Sequence, residues 1–230
     1  MPGPGDGDDM AHGFAVPNSH RRVWDMSEAG IRRSHAESLE RLGLDRVDVL
    51  YLHDPEESPT EQAFAEALPT LAAMREEGLI SHVGVGSKDV DVLLRAVRTG
   101  LLDVIMLSGR YTLLEQPAAA ELLPACLEHG VEVVAVSVFN SGILSRPEVP
   151  DDAKYEYGTA PVDLLQRARH LAALAAEHGV QLPDLALRYP LRHEAVSSVV
   201  LGMRTADQVR QNLERVARTI PEELWEQIDA

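Results

Sequence analysis

The sequence is short of three things, and each shortage removes a class of protein. It has one cysteine in 230 residues, Cys126. No disulfide framework can form, so a reducing compartment fits, and we expect a cytoplasmic protein. Cys126 lies in the apolar helical pattern ELLPACLEHG and reads as core, because Cys is among the residue types most often buried. Long apolar runs are also missing. No segment approaches the ~20 residues that a membrane helix needs, and the opening MPGPGDGDDMAHG has neither the basic nor the apolar region of a signal peptide. We therefore expect no membrane partner. The third shortage is positive charge: 21 Lys and Arg against 37 Asp and Glu leave a net charge of −16. Attraction to nucleic acid phosphates or anionic lipid is disfavoured. Among the nine histidines, the HxH and HExxH spacings are absent, so no metal is expected. His12, His20, His35 and His178 read as solvated, in tails or on helix faces.

What is present is a 45% hydrophobic chain whose text alternates between two patterns. SEAGIRRSHAESLERL, after a Ser27 N-cap and before Gly43, predicts a helix over 27–42. The continuous apolar run Val47–Leu52 predicts a buried strand. Helix and strand signals then alternate: a helix over 60–77, the strand run ISHVGVGS, DVDVLLRAVRTG, DVIMLSG, AAAELLPACLEHG and VEVVAVSV. An irregular stretch, 139–161, precedes a long helix in PVDLLQRARHLAALAAEHG, a strand in VSSVVLG, and helices in TADQVRQNLERVA and PEELWEQI. Strands that read as unbroken apolar runs, separated by single helices, imply right-handed crossovers in a parallel sheet. The fold class is α/β, with five strands visible. Residues 1–20, rich in Gly, Pro and Asp, are expected to be poorly ordered, with one domain over 21–230.

In parallel α/β folds, reacting groups gather at the carboxyl ends of strands. The positions to weigh are His53-Asp54, Gly86-Ser87-Lys88, Ser108-Gly109-Arg110-Tyr111, Phe139-Asn140-Ser141-Gly142 and Gly202-Met203-Arg204. An imidazole at His53 can donate from one nitrogen and accept at the other, as a substrate oxygen would require. On spacing alone the plainer reading is a satisfied structural histidine, with Asp54 capping the next helix. GVGS permits close approach of a ligand to backbone, or is simply a tight turn. In LGMRTADQVRQN, Arg204 and Thr205 open a helix, and Gln208 and Asn212 fall one turn apart on one face. A helix N-terminus beside an Arg suits a phosphate; a surface Arg near a Thr cap accounts for the pattern equally well.

Taken together, LERLGLDRVDVLYLHDP, LRAVRTGLLDVIML, GRYTLL, FNSGIL and VVLGMRTADQVRQNLE resemble the aldo-keto reductase family. The resemblance runs from about Gly13 to the C-terminus, and its wording is nearest to the family's bacterial aldose dehydrogenase branch. It implies a (β/α)8 TIM-barrel type fold and hydride transfer between NAD or NADP and a sugar or aldehyde. His53 matches the family's active-site histidine, which bonds the substrate oxygen. Ser87 matches the serine at the nicotinamide carboxamide, with Lys88 in place of the usual Asn, and Ser108 stands where many members have Gln. Phe139, Asn140, Ser141, Gly142 and Leu144 match the loop near the pyrophosphate. Arg204, Thr205, Gln208 and Asn212 match the adenosine-phosphate segment. Val136 replaces the Tyr that stacks on nicotinamide.

The resemblance also sets an expectation of incompleteness. Family members add an Asp after the second strand, a Tyr acid/base in the following helix and a Lys at the end of the third strand, and these have no counterparts ahead of residue 27. The expectation is an incomplete barrel with five of eight strands, carbonyl chemistry inactive or crippled, and self-association through open barrel edges. The alternative is a non-catalytic dinucleotide-binding or interaction half-barrel.

Overall fold

The computed structural model describes residues 8–10, 14–17, 19–20, 23–156 and 158–229. Near the N-terminus, β1 (Asp8–Asp9) and β2 (Phe14–Pro17) pair antiparallel. The sequence gives no strand pattern there, and residues 1–7, 11–13 and 18 of the segment expected to be poorly ordered lie outside the described residues.

Helix α1 (Glu28–Leu42) begins where Ser27 Oγ accepts from Gly30 N at 3.2 Å, and it stops at Gly43, whose φ of 64° is strained for a residue carrying a Cβ. Sequence spacing put His35 on a solvated face; the structure corrects this. The imidazole is 8% exposed and its Nε2 has no hydrogen-bond partner. The physical reason is that position 35 lies one turn from Ile31, on the stripe that packs against the core. The helix expected over 60–77 is interrupted. α2 (Thr60–Gln62) runs through a π-helical turn, Ala63–Ala67, into α3 (Leu68–Glu76). Pro69 has no N–H, and its ring would meet the Ala65 carbonyl in an unbroken α-helix, so the ladder widens just before it.

The main sheet holds β3 (Val49–His53), β4 (His82–Ser87), β5 (Val104–Ser108), β6 (Glu132–Val136) and, beyond the hairpin of β7 (Lys154–Tyr155) and β8 (Gly158–Thr159), β9 (Val196–Val200). Its order is β3-β4-β5-β6-β9 and every pairing is parallel. This is the five-strand α/β arrangement expected from the sequence, an open portion of a barrel whose edges are β3 and β9. The remaining helices are α4 (Val90–Val97), α5 (Leu122–His129), α6 (Val162–Glu177), α7 (Leu182–Arg188), α8 (Ala206–Ala217) and α9 (Glu222–Asp229). No helix among the described residues is long and apolar enough to cross a membrane.

Strand alternation sorts the sheet into two unlike faces. Val83, Val85, Ile105, Leu107, Val133 and Ala135 point to the helices and form a core with α3, α4 and α5. Cys126 is fully buried within it, and burial pushes its thiol up to about 12, so it is an inert core residue as expected. The other face carries Val49, Tyr51, Met106, Val134, Val136 and Val200, half-buried or exposed. On that face a Cβ at Gly84 would come within 2.5 Å of the Tyr51 ring, so only glycine lets the tyrosine lie flat across β4. A second core joins α6, α7 and α9 to Leu113, Leu114, Ile143 and Leu144, beneath the stretch read as irregular.

Candidate active site

The carboxyl ends of the five strands share one cavity of about 990 Å³. β3 delivers His53 and Asp54, β4 delivers Ser87 and Lys88, and β5 delivers Ser108 and Arg110. The loop after β6 adds Phe139 to Gly142, the β7–β8 hairpin adds Tyr155 and Glu156, and α8 adds Gln208. A shallower hollow of about 350 Å³ on α4 touches no strand end. The non-glycine residues at positive φ among the described residues are Asp54 (42°), Ser137 (57°), Asn140 (45°), Ser141 (57°) and Glu156 (43°), and all of them line the large cavity. Such backbone persists only where surrounding contacts over-determine it, and it clusters at functional sites.

The His53 side chain is 82% exposed, and its Nε2 lies 3.4 Å from Asp54 Oδ2. Asp54 does precede a short 3-10 helix, Pro55–Glu57, but its side chain caps nothing there. The carboxylate turns to the imidazole instead. Ser87 is buried; its hydroxyl is bonded to the Glu56 carboxylate and accepts from Asp89 N at 2.8 Å. With its one proton given to Glu56, Ser87 has only a lone pair left for a ligand. Ser108 and Ser137 hydroxyls are 3.0 Å apart at the ends of β5 and β6. Asn140 is 3% exposed, donates to Glu115 Oε2 at 2.9 Å, and leaves its Oδ1 buried and unpartnered.

Arg110 organises the far wall. It donates to the Lys88 carbonyl at 3.3 Å, to Tyr155 Oη at 3.1 Å and to the Glu156 carboxylate. Tyr155 in turn donates to Glu115 Oε2 at 2.6 Å, and Glu156 also meets Lys88 Nζ at 3.8 Å. Burial and the Glu115 bond, opposed by Arg110, push the Tyr155 phenol up to about 12. It therefore stays protonated at neutral pH and is a weak proton donor. The sequence marks Arg110 only as a strand-end residue and does not single out Tyr155, because the two-residue strands of the hairpin that carries it leave no local pattern.

The remaining positions do not all converge. Gly142, at φ 98°, lines the cavity, while Leu144 is wholly buried in the second core. Arg204 and Thr205 are exposed and outside the cavity wall. Thr205 Oγ1 accepts from Gln208 N at 3.2 Å, and Gln208 Oε1 accepts from Thr205 N at 3.3 Å, a reciprocal cap that starts α8. Asn212 is 9% exposed, one turn beyond Gln208. No group of three or more His, Cys, Asp or Glu that could hold a metal occurs among the described residues.

The profile described as the Aldo/keto reductase family matches residues 17–230. The chain is 50% identical to a D-threo-aldose 1-dehydrogenase of a Pseudomonas species, over 96% of this chain and 67% of that protein. It is 36% identical to the pyridoxal 4-dehydrogenase of Microbacterium luteolum, over 89% of this chain and 62% of that one. The holo form of an aldo-keto reductase of Bacillus halodurans superposes with a TM-score of 0.73 at 29% identity, covering 90% of this chain and 68% of that one. The chain thus spans about two thirds of the length of these relatives. Agreement in sequence along nearly all of the chain, and in the parallel five-strand sheet whose ends hold the cavity, means that the chain belongs to the aldo/keto reductase family.

Proposed function

We propose that the cavity is the dinucleotide and substrate site of an NAD(P)-dependent oxidoreductase acting on an aldose or a similar carbonyl or hemiacetal. The observation that carries this reading is one cavity reaching from His53 to Gln208 across all five strand ends. The residues present fit a dinucleotide in this orientation. The α8 N-terminus with Arg204 offers positive partial charge and a guanidinium to an adenosine phosphate. The loop Phe139–Gly142 suits the pyrophosphate, and Ser87 with Ser108 suits the carboxamide. The bound nicotinamide would supply a hydride acceptor or donor. His53, turned by Asp54, would hydrogen-bond the substrate oxygen whose charge changes during transfer.

This histidine orients; it does not replace a matched acid/base. Acid/base assistance typically contributes ~10² to 10⁴-fold, and Tyr155, at about 12, is poorly matched to neutral pH. We expect these 230 residues to bind dinucleotide but to turn over aldose negligibly. NADPH fluorescence titration tests the first half: Arg204→Ala should weaken binding about tenfold, the weight of one charge-assisted contact. L-fucose or D-arabinose oxidation that His53→Ala abolishes would defeat the second half.

The second reading, a non-catalytic dinucleotide-binding or interaction half-barrel, is favoured by the half-exposed sheet face around Val49 and Val200. Dinucleotide binding without turnover, together with concentration-dependent association in sedimentation, supports it.

A further inference from the structure

Asp54 faces His53 from an unfavourable backbone conformation. Its φ of 42° and ψ of 57° are left-handed, a region that residues with a Cβ rarely enter. Neighbours hold it there: Asp54 N donates to the Gly86 carbonyl at 2.8 Å, and the Asp54 carbonyl accepts from Glu57 N at 2.9 Å. With both of its peptide groups fixed, the residue caps no helix and instead brings Oδ2 within 3.4 Å of His53 Nε2.

A carboxylate beside Nε2 favours the tautomer that carries its proton on that nitrogen, which leaves Nδ1 with a lone pair. The imidazole side chain is 82% exposed and lines the large cavity, so the lone pair is open to a ligand. Gly86, the strand partner of His53, adds no side chain over the ring. A base with a fixed tautomer thus stands at the end of β3.

We propose that the cavity interconverts the two anomers of an aldose, with His53 as the general base and Asp54 as its positioning residue. Nδ1 takes the proton of the anomeric hydroxyl, and the bond from the anomeric carbon to the ring oxygen breaks as the carbonyl forms. The ring oxygen takes a proton from cavity water, and the imidazolium returns one to that water. The open-chain aldehyde turns about the bond next to its carbonyl and closes by the reverse steps, giving the other anomer. Nothing is oxidised or reduced, so no dinucleotide takes part. Hydride transfer asks the proton and the hydride to leave together, in one geometry set by the nicotinamide; ring opening asks for the proton alone. A base that serves the first poorly still serves the second. His53 acts in this way on the reading of the cavity as an aldose site, on which the inference rests.

L-fucose dissolved as a single anomer and followed by polarimetry with the full chain, without dinucleotide, tests it. The chain should speed anomerisation at least about 100-fold beyond the same concentration of free imidazole, because the sugar is held beside the base, and the rate should saturate with sugar. His53→Ala should return the rate to that of the solution. Added imidazole should then restore part of it, a rescue that a merely structural role would not allow. Asn also tolerates the left-handed backbone, so Asp54→Asn should keep the fold and KM while kcat falls about tenfold or more. No acceleration beyond free imidazole, an unchanged rate in His53→Ala, or acceleration that appears only when NADP is added would overturn the inference. Saturation-transfer NMR separates two failures. Fucose that binds without anomerising faster overturns the inference alone, and fucose that does not bind overturns the aldose reading along with it.

Discussion

At the scale of single residues, the tyrosines connect packing to pH. Burial is the leading cause that raises both Tyr155 and Tyr189 from the ordinary value of 10 to about 12. The unfolded chain releases these protons near pH 10 while the folded chain holds them to about 12. In that window the native state binds more protons, so stability falls as pH rises; below pH 10 the contribution is present in full. Thermal midpoints should drop steeply above about pH 10, and Tyr155→Phe should flatten part of that drop. A midpoint unchanged across the window would refute the assignment. The same scale shows the limits of sequence reading. His53, Ser87 and Ser108 could be marked because each follows directly on an apolar run, where a strand must end. The partners that hold the two serines could not: Glu56 on Ser87 and Ser137 on Ser108 are brought together by folding.

At the scale of elements, α8 depends on its ends. Asn212 is its buried residue, and Val209, Leu213 and Val216 are exposed by 40%, 67% and 38%. Little packing holds such a helix, so its cap carries a larger share of its stability. Thr205→Ala should cost about 1 kcal/mol, read as a lower urea midpoint and as faster hydrogen exchange in the first turn of α8. Parallel strands and their crossover helices were legible because period and punctuation are local. α7 was not read, since seven mostly buried residues, Leu182–Arg188, show no amphipathic alternation. The β7–β8 hairpin was missed for a related reason: two-residue strands have no period at all.

At the scale of the whole molecule, helices cover one face of the sheet, and β3 and β9 stand at its edges with no further strand partner among the described residues. Unpaired edges invite pairing with another chain, while a net charge of −16 opposes it. Which wins depends on ionic strength, because salt screens repulsion between exposed charges but leaves strand pairing intact. Sedimentation velocity should therefore show larger species at high salt than at low salt. A monomer at both, at high protein concentration, would show that the edges are inert.

The strand order also bears on how the molecule assembles. β3, β4, β5 and β6 each pair with the strand that directly precedes or follows them in the chain, so these units can form one after another as short loops close. β9 differs: it pairs with β6 across the segment from Ser137 to Ala195, much of which packs into the second core. Joining those two strands closes the longest loop between neighbouring strands of the sheet and so carries the largest closure entropy, and the wall of the cavity that holds Gln208 lies beyond that closure.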